Sequence, residues 1–164
     1  MTCTTGKGNE MNVTRVLGAG LLAGLVMGMV EMVSEAAAGP GFWSPLVFVA
    51  ATVLPGLQAV PTPVPFMPLP VALGLMGHMI NSVIFGFVFG LIFSRFAIVR
   101  GALVGVGYGL LVFATTWYLV LPVIDPVMLK VNAAFFAGAH VLWGATLGLT
   151  MPGPAERAGR LTAA

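Results

Sequence analysis

The sequence predicts an all-α membrane protein, a bundle of four transmembrane helices. Three observations predict it. Only 7% of the 164 residues are charged, against about 25% in an ordinary soluble domain. Hydrophobic residues make up 59% of the chain, and the mean hydropathy is +1.03. The apolar residues also gather into four runs of the length a membrane helix needs, roughly 20 residues at 1.5 Å each. Charge is correspondingly clustered. None falls between Glu35 and Arg95, between Arg100 and Asp125, or between Lys130 and Glu156. The same figures exclude other classes. Cys3 is the sole cysteine, so no disulfide scaffold is built. The net +2 has no basic patch behind it, which argues against a nucleic-acid partner. So high an apolar content is not that of a disordered chain.

The first span is read over residues 16–38, after a cytoplasmic tail at 1–15. Val16 to Val30, followed by Ala36-Ala37-Ala38, has the outline of a signal peptide. Glu31 and Glu35 stand between the apolar run and that site, so a retained helix is expected. Residues 39–70 form an outer loop. Phe42 and Trp43 are interface-seeking aromatics. Leu46 to Leu54 is apolar but too short to span, and is read as an interfacial or re-entrant helix with Ser44 as N-cap and Pro45 at the first position. Pro55, Pro61, Pro63, Pro65, Pro68 and Pro70 predict an extended, polyproline-like chain. Lacking charge, this loop is expected to lie against the bundle or a partner.

The second span is read over 71–94 and the third over 101–121, ended by Pro122. The fourth is read over 132–151, ended by Pro152 and Pro154, because proline cannot continue a helix. A cytoplasmic tail at 152–164 follows. Lys7, Arg15, Arg95, Arg100, Arg157 and Arg160 then fall on one side of the membrane, and Lys130 on the other. Positive residues mark the cytoplasmic side, so both termini are expected inside, in the cytoplasmic membrane.

Each span carries small residues four apart: Gly24 and Gly28, Gly86 and Gly90, Gly105 and Gly109, Gly144 and Gly148. Lipid gives helices no hydrophobic reason to associate, and small residues let their backbones approach. These glycines therefore mark helix-packing faces. Polar residues at helical spacing share those faces. Glu31 and Glu35 lie in line with Gly24 and Gly28, His78 with Gly86, His140 with Gly144, and Thr116 with Gly109. Glu31 is roughly 7 Å from the outer end of its span, and His78 and His140 roughly 10 Å from the same side. One carboxyl and two imidazoles from three helices are thus expected at one level. Asn81, Met27, Met32, Met76 and Met79 lie near enough to line such a site, and Asp125 is placed to cap it. Ionisable groups at membrane depth cost about 2.5–3.5 kcal/mol on insertion scales and usually mark function. The structural alternative is a neutral hydrogen-bond network joining helices. Glu35, Asn81, Thr116 and Asp125 rank behind Glu31, His78 and His140. Glu35 is close enough to the interface to be simply solvated.

The chain also reads as two helical hairpins in parallel duplication, with a glycine eight residues after each histidine (His78 to Gly86, His140 to Gly148). LGLMGHMINSVIFGFVFGL and FFAGAHVLWGATLGL resemble the second and fourth spans of a group of small uncharacterised bacterial four-helix integral membrane proteins, a domain of unknown function. A first span of the type AGLVMGMV and a third ending at a proline, here Leu121-Pro122, recur in that group. The resemblance covers most of residues 16–151. The proline-rich outer segment departs from it. It implies the four-span topology and draws attention to the two histidines; it carries no activity.

Three functions follow as expectations. The first is a ligand-binding membrane subunit holding haem or a transition metal, since imidazole and carboxylate suit such ions and paired imidazoles suit haem. A closed metal site would need Glu31 or Asp125 beside the histidines. The second is a scaffold that packs against other membrane subunits or its own copies. The third is a small proton-coupled carrier using Glu31, His78 and His140 as a relay. An enzyme of the soluble type is disfavoured, because no nucleophile–base spacing, P-loop or dinucleotide fingerprint is present.

Overall fold

In the computed structural model residues 13–93 and 98–151 are described, the side chains of 98–100 excepted. Their regular structure is all helical, with no strand among them. The order is α1 (Val13–Ala38), α2 (Ser44–Ala51), α3 (Pro68–Phe93), α4 (Ile98–Thr115), a π-helical segment (Thr116–Val120), α5 (Leu121–Ile124) and α6 (Ala133–Thr150). Four helices are long and apolar enough to cross a membrane: Val13–Ala38, Pro68–Phe93, Gly101–Ile124 and Ala133–Thr150. Lys7, Arg95, Arg157, Arg160, Pro152 and Pro154 lie outside the described residues, as do residues 1–12 and 152–164, while Val13 to Arg15 of the expected first tail belong to α1.

Several boundaries differ from the sequence reading, each for a local reason. Pro122 does not end the third span. The helix passes through it to Ile124. Proline inside a helix clashes with the carbonyl four residues back. Here the turn before it is widened into the π segment, and the Leu121 N–H donates to the Thr116 carbonyl. Pro68 and Pro70 do not extend the loop but open α3, where missing N–H groups cost nothing. Pro55 likewise opens a 3-10 turn, Pro55–Ala59. α6 starts one residue late because Asn132 is its N-cap, with Oδ1 accepting from the Ala134 and Phe135 N–H groups at 3.0 and 3.4 Å. At α2 the cap is Trp43, not Ser44, whose hydroxyl instead donates to the Gly41 carbonyl at 2.6 Å. α2 is also no surface helix: Val47 and Phe48 are wholly buried, and Leu46, Ala50 and Ala51 nearly so.

The long helices pair through glycine. Helix α1 lies on α3 in three rungs. A Cβ on Gly24 would come within 2.9 Å of Ser82, one on Gly28 within 3.3 Å of His78, and one on Gly86 within 3.2 Å of the Gly20 Cα. Helices α4 and α6 repeat this more tightly. Cβ atoms on Gly105 and Gly109 would strike the carbonyls of Gly144 and His140, and one on Gly101 would sit 2.8 Å from the Gly148 carbonyl. The rungs correspond in order: 20/86, 24/82 and 28/78 in the first pair, 101/148, 105/144 and 109/140 in the second. Helix α1 also packs broadly on α6, whereas α3 and α4 barely touch. The row therefore runs α3–α1–α6–α4 and leaves a seam between α3 and α4. The Tyr108 hydroxyl closes one stretch of that seam, donating to the Phe85 carbonyl at 3.0 Å, with Phe89 and Phe93 against the ring at 5.3 and 5.9 Å. Beyond Tyr108, towards α2 and Asp125, the seam stays open.

Candidate functional site

The open part of the seam is a cavity of about 290 Å³. Met27 and Glu31 reach it from α1, and Val49 and Thr52 from α2. His78, Asn81, Ser82 and Phe85 line it from α3, and Val112, Thr116, Val120, Leu121 and Ile124 from the third span. Phe136, His140 and Trp143 come from α6, and Asp125 and Met128 close the end. Glu31, Asp125, His140 and Trp143 are buried at the back, whereas Asn81, Phe85, Val120 and Ile124 are exposed. Those four belong to the helices on either side of the seam, so the mouth opens sideways between α3 and the third span.

The structure brings six of the seven polar sequence candidates to this cavity: Glu31, His78, His140, Asn81, Thr116 and Asp125. Met27 lines it too, while Met32, Met76 and Met79 do not. Glu35 stands apart and is not solvated. It is 2% exposed, and its Oε1 accepts from the Asn132 N–H at 3.0 Å. The carboxyl thus ties the end of α1 to the cap of α6.

Hydrogen bonds fix the imidazoles. His78 Nε2 donates to the Gly24 carbonyl at 2.9 Å, and His140 Nδ1 to the Phe136 carbonyl at 2.8 Å. A carbonyl only accepts, so those nitrogens carry the protons. In the neutral rings Nδ1 of His78 and Nε2 of His140 remain as acceptors. Ser82 joins three helices: its hydroxyl donates to the Gly20 carbonyl at 2.7 Å and accepts from Trp143 Nε1 at 2.7 Å. Glu31 is 4% exposed, and its Oε1 has no hydrogen-bond partner.

Two residues that sequence reasoning missed shape the site. Gln58 Nε2 donates to Asp125 Oδ1 at 2.8 Å, while its Oε1 accepts from the Val127 N–H at 3.0 Å. One side chain thus clamps the loop between α2 and α3 to the turn before α6. Burial raises the Asp125 carboxyl above the usual aspartate range, with the Gln58 hydrogen bond pulling the other way. Trp143 both lines the cavity and anchors Ser82. No pattern flags Gln58; its partner lies 67 residues away.

Among the described residues no group of three His, Cys, Asp or Glu is arranged to hold an ion. The Nε2 of His78 is committed to the Gly24 carbonyl, and Oδ1 of Asp125 to Gln58. The cavity instead has an apolar and aromatic wall with a few converging polar groups, the character of a small-molecule site. Comparison of the chain with protein-family models, curated proteins and solved structures gives no match.

Proposed function

We propose that the protein is a small multi-pass component of the cytoplasmic membrane, with both termini inside, that binds a small, largely apolar organic molecule in the seam between α3 and α4. The single observation that carries this reading is the cavity, where polar groups from all four long helices meet behind a mouth facing sideways. A lateral mouth admits a molecule dissolved in lipid without passage through water. The parallel duplication belongs to the same reading. Its support is the matching set of glycine rungs in the two helix pairs. A regular repeat would close the α3–α4 seam as firmly as the α1–α6 contact, and it is closed only at Tyr108. Departures from a regular plan concentrate at functional sites. Among the described residues no group of three His, Cys, Asp or Glu is arranged for a metal ion, and this reading takes an organic guest in place of a metal or haem. The ligand-binding subunit is expected to work beside other membrane subunits or its own copies.

The test is to extract the gently purified protein with organic solvent and identify co-purifying small molecules by mass spectrometry. The same is done with Val112→Trp, which fills the cavity. A molecule present in stoichiometric amount with the wild type and absent from the variant is expected. Equal recovery from both, or none from either, refutes the site. A proton-coupled carrier is the second reading. It rests on the partnerless oxygens of Glu31 and Glu35 spaced one turn apart on α1. Proteoliposome flux that Glu31→Gln leaves unchanged removes it.

A further inference from the structure

The charge and chemistry of the cavity wall narrow the class of its ligand. Among the described residues no Lys or Arg lines it, while two carboxyl groups do, those of Glu31 and Asp125. Asp125 Oδ1 is taken by Gln58. Glu31 Oε1 is buried and takes no hydrogen bond. A carboxyl oxygen buried without a partner costs free energy in apolar surroundings, whether the group is ionised or protonated. An occupant bearing a positive charge favours the ionised form and offsets that cost, which an apolar neutral occupant does not. The rest of the wall suits the same guest. The rings of Phe85, Phe136 and Trp143 line the cavity, and aromatic faces attract cations, most strongly where water is excluded. Nδ1 of His78 and Nε2 of His140, the ring nitrogens left as acceptors, offer lone pairs to the cavity.

We infer that the ligand is a lipophilic organic cation, a substituted ammonium with an apolar body, whose charged head is held by Glu31 between the aromatic rings and whose body lies along the lateral mouth. This rests on the ligand-binding reading of the same cavity. It goes beyond that reading by fixing the charge of the guest and the residue that selects it.

The test compares two isosteres, benzyltrimethylammonium and neopentylbenzene, the second having carbon in place of nitrogen. Each is titrated into the detergent-purified protein. Binding is read from Trp143 fluorescence in a chain carrying Trp43→Phe and Trp117→Phe. The cation is expected to bind at least about ten-fold more tightly than its neutral isostere. Glu31→Gln is expected to weaken the cation by roughly ten- to a hundred-fold, the worth of a buried charged contact. The wild-type ratio alone decides should the variant fail to fold. If the neutral isostere binds equally or better, the inference is overturned and the cavity stands as a neutral-ligand site. If the cation binds but Glu31→Gln, folded by its thermal midpoint, binds it unchanged, Glu31 is not the anchor and the inference is overturned. If neither probe binds, the ligand-binding reading fails with it.

Discussion

Gly105 and Gly107 stand two residues apart on α4 and meet different surroundings. A Cβ on Gly107 meets nothing within 4 Å. A Cβ on Gly105 strikes the carbonyl of Gly144 and comes within 3.2 Å of the Gly148 nitrogen. Both obstacles are backbone, so no side-chain rotation relieves the clash. Gly107→Ala therefore gains the helical preference of alanine over glycine, of order 0.5–1 kcal/mol. Gly105→Ala gains the same preference but forces α4 and α6 apart by roughly 1 Å, enough to forfeit a quarter to a half of each contact along the seam. Overpacking of this kind costs about 1–3 kcal/mol. The helix preference cancels between them, so the two substitutions are expected to differ by the overpacking cost, roughly 1–3 kcal/mol, with Gly107→Ala the more stable. Reversible unfolding in mixed micelles, followed by circular dichroism, reads the difference directly. Equal stabilities would refute the glycine contact as the determinant of the α4–α6 pair.

Three further outcomes are expected. Ser82→Ala strands the buried indole N–H of Trp143, which donates only to that hydroxyl, and costs about 1–3 kcal/mol. The same substitution made on Trp143→Phe costs less, because no donor is left over, and a double-mutant cycle showing no coupling would contradict the geometry. Glu35→Ala bares the Asn132 N–H and destabilises by about 1–3 kcal/mol, while Glu35→Gln keeps an acceptor there and costs less than about 1 kcal/mol; identical melts for the two would show that the bond is idle. Asp125 titrates above its ordinary 3.8 because it is buried, so the fold favours its neutral form. Its contribution to stability is whole below the unfolded-chain value of about 3.9 and is lost as pH rises through the higher folded value. Asp125→Asn, still able to accept from Gln58, is therefore expected to raise the thermal midpoint at pH 7. The gap to wild type closes near pH 4, and a gap independent of pH would refute the assignment.

Most of the bundle was legible in the sequence because lipid leaves so few options. Runs of some 20 apolar residues have one stable form, and glycines four apart have few uses besides close packing. Helical spacing alone also placed Glu31, His78 and His140 on inward faces. The missed features depend on partners distant in the chain. The Leu46–Leu54 run reads as interfacial or re-entrant because it is too short to span, and its sequence does not choose between them. It is buried because Gly74 leaves no side chain between the α3 backbone and the Leu46 carbonyl. Glu35 reads as solvated by its place near a helix end, yet the Asn132 N–H 97 residues away accounts for its burial. Pro122 reads as a stop because proline usually is one. Only the widened turn ahead of it lets the helix continue.

That widened turn bears on why the seam opens where it does. The two halves share their glycine rungs, so the rungs cannot be what separates α3 from α4. The halves differ in two places. The first half carries α2 in its connection, and α2 packs against α3 near Gly74 and Gly77. The second half carries the π segment at Thr116–Val120, which alters the register of the third span beyond Thr115. Val49 and Thr52 at the end of α2, and Thr116 and Val120 of the π segment, all line the cavity. On the other side of the cavity, where neither departure reaches, Tyr108 bridges to α3 and the seam is shut. Loose packing would leave gaps without regard to these features. An opening bounded by α2 and the π segment, and backed by a glutamate with an unpaired carboxyl oxygen, fits the cleft proposed above.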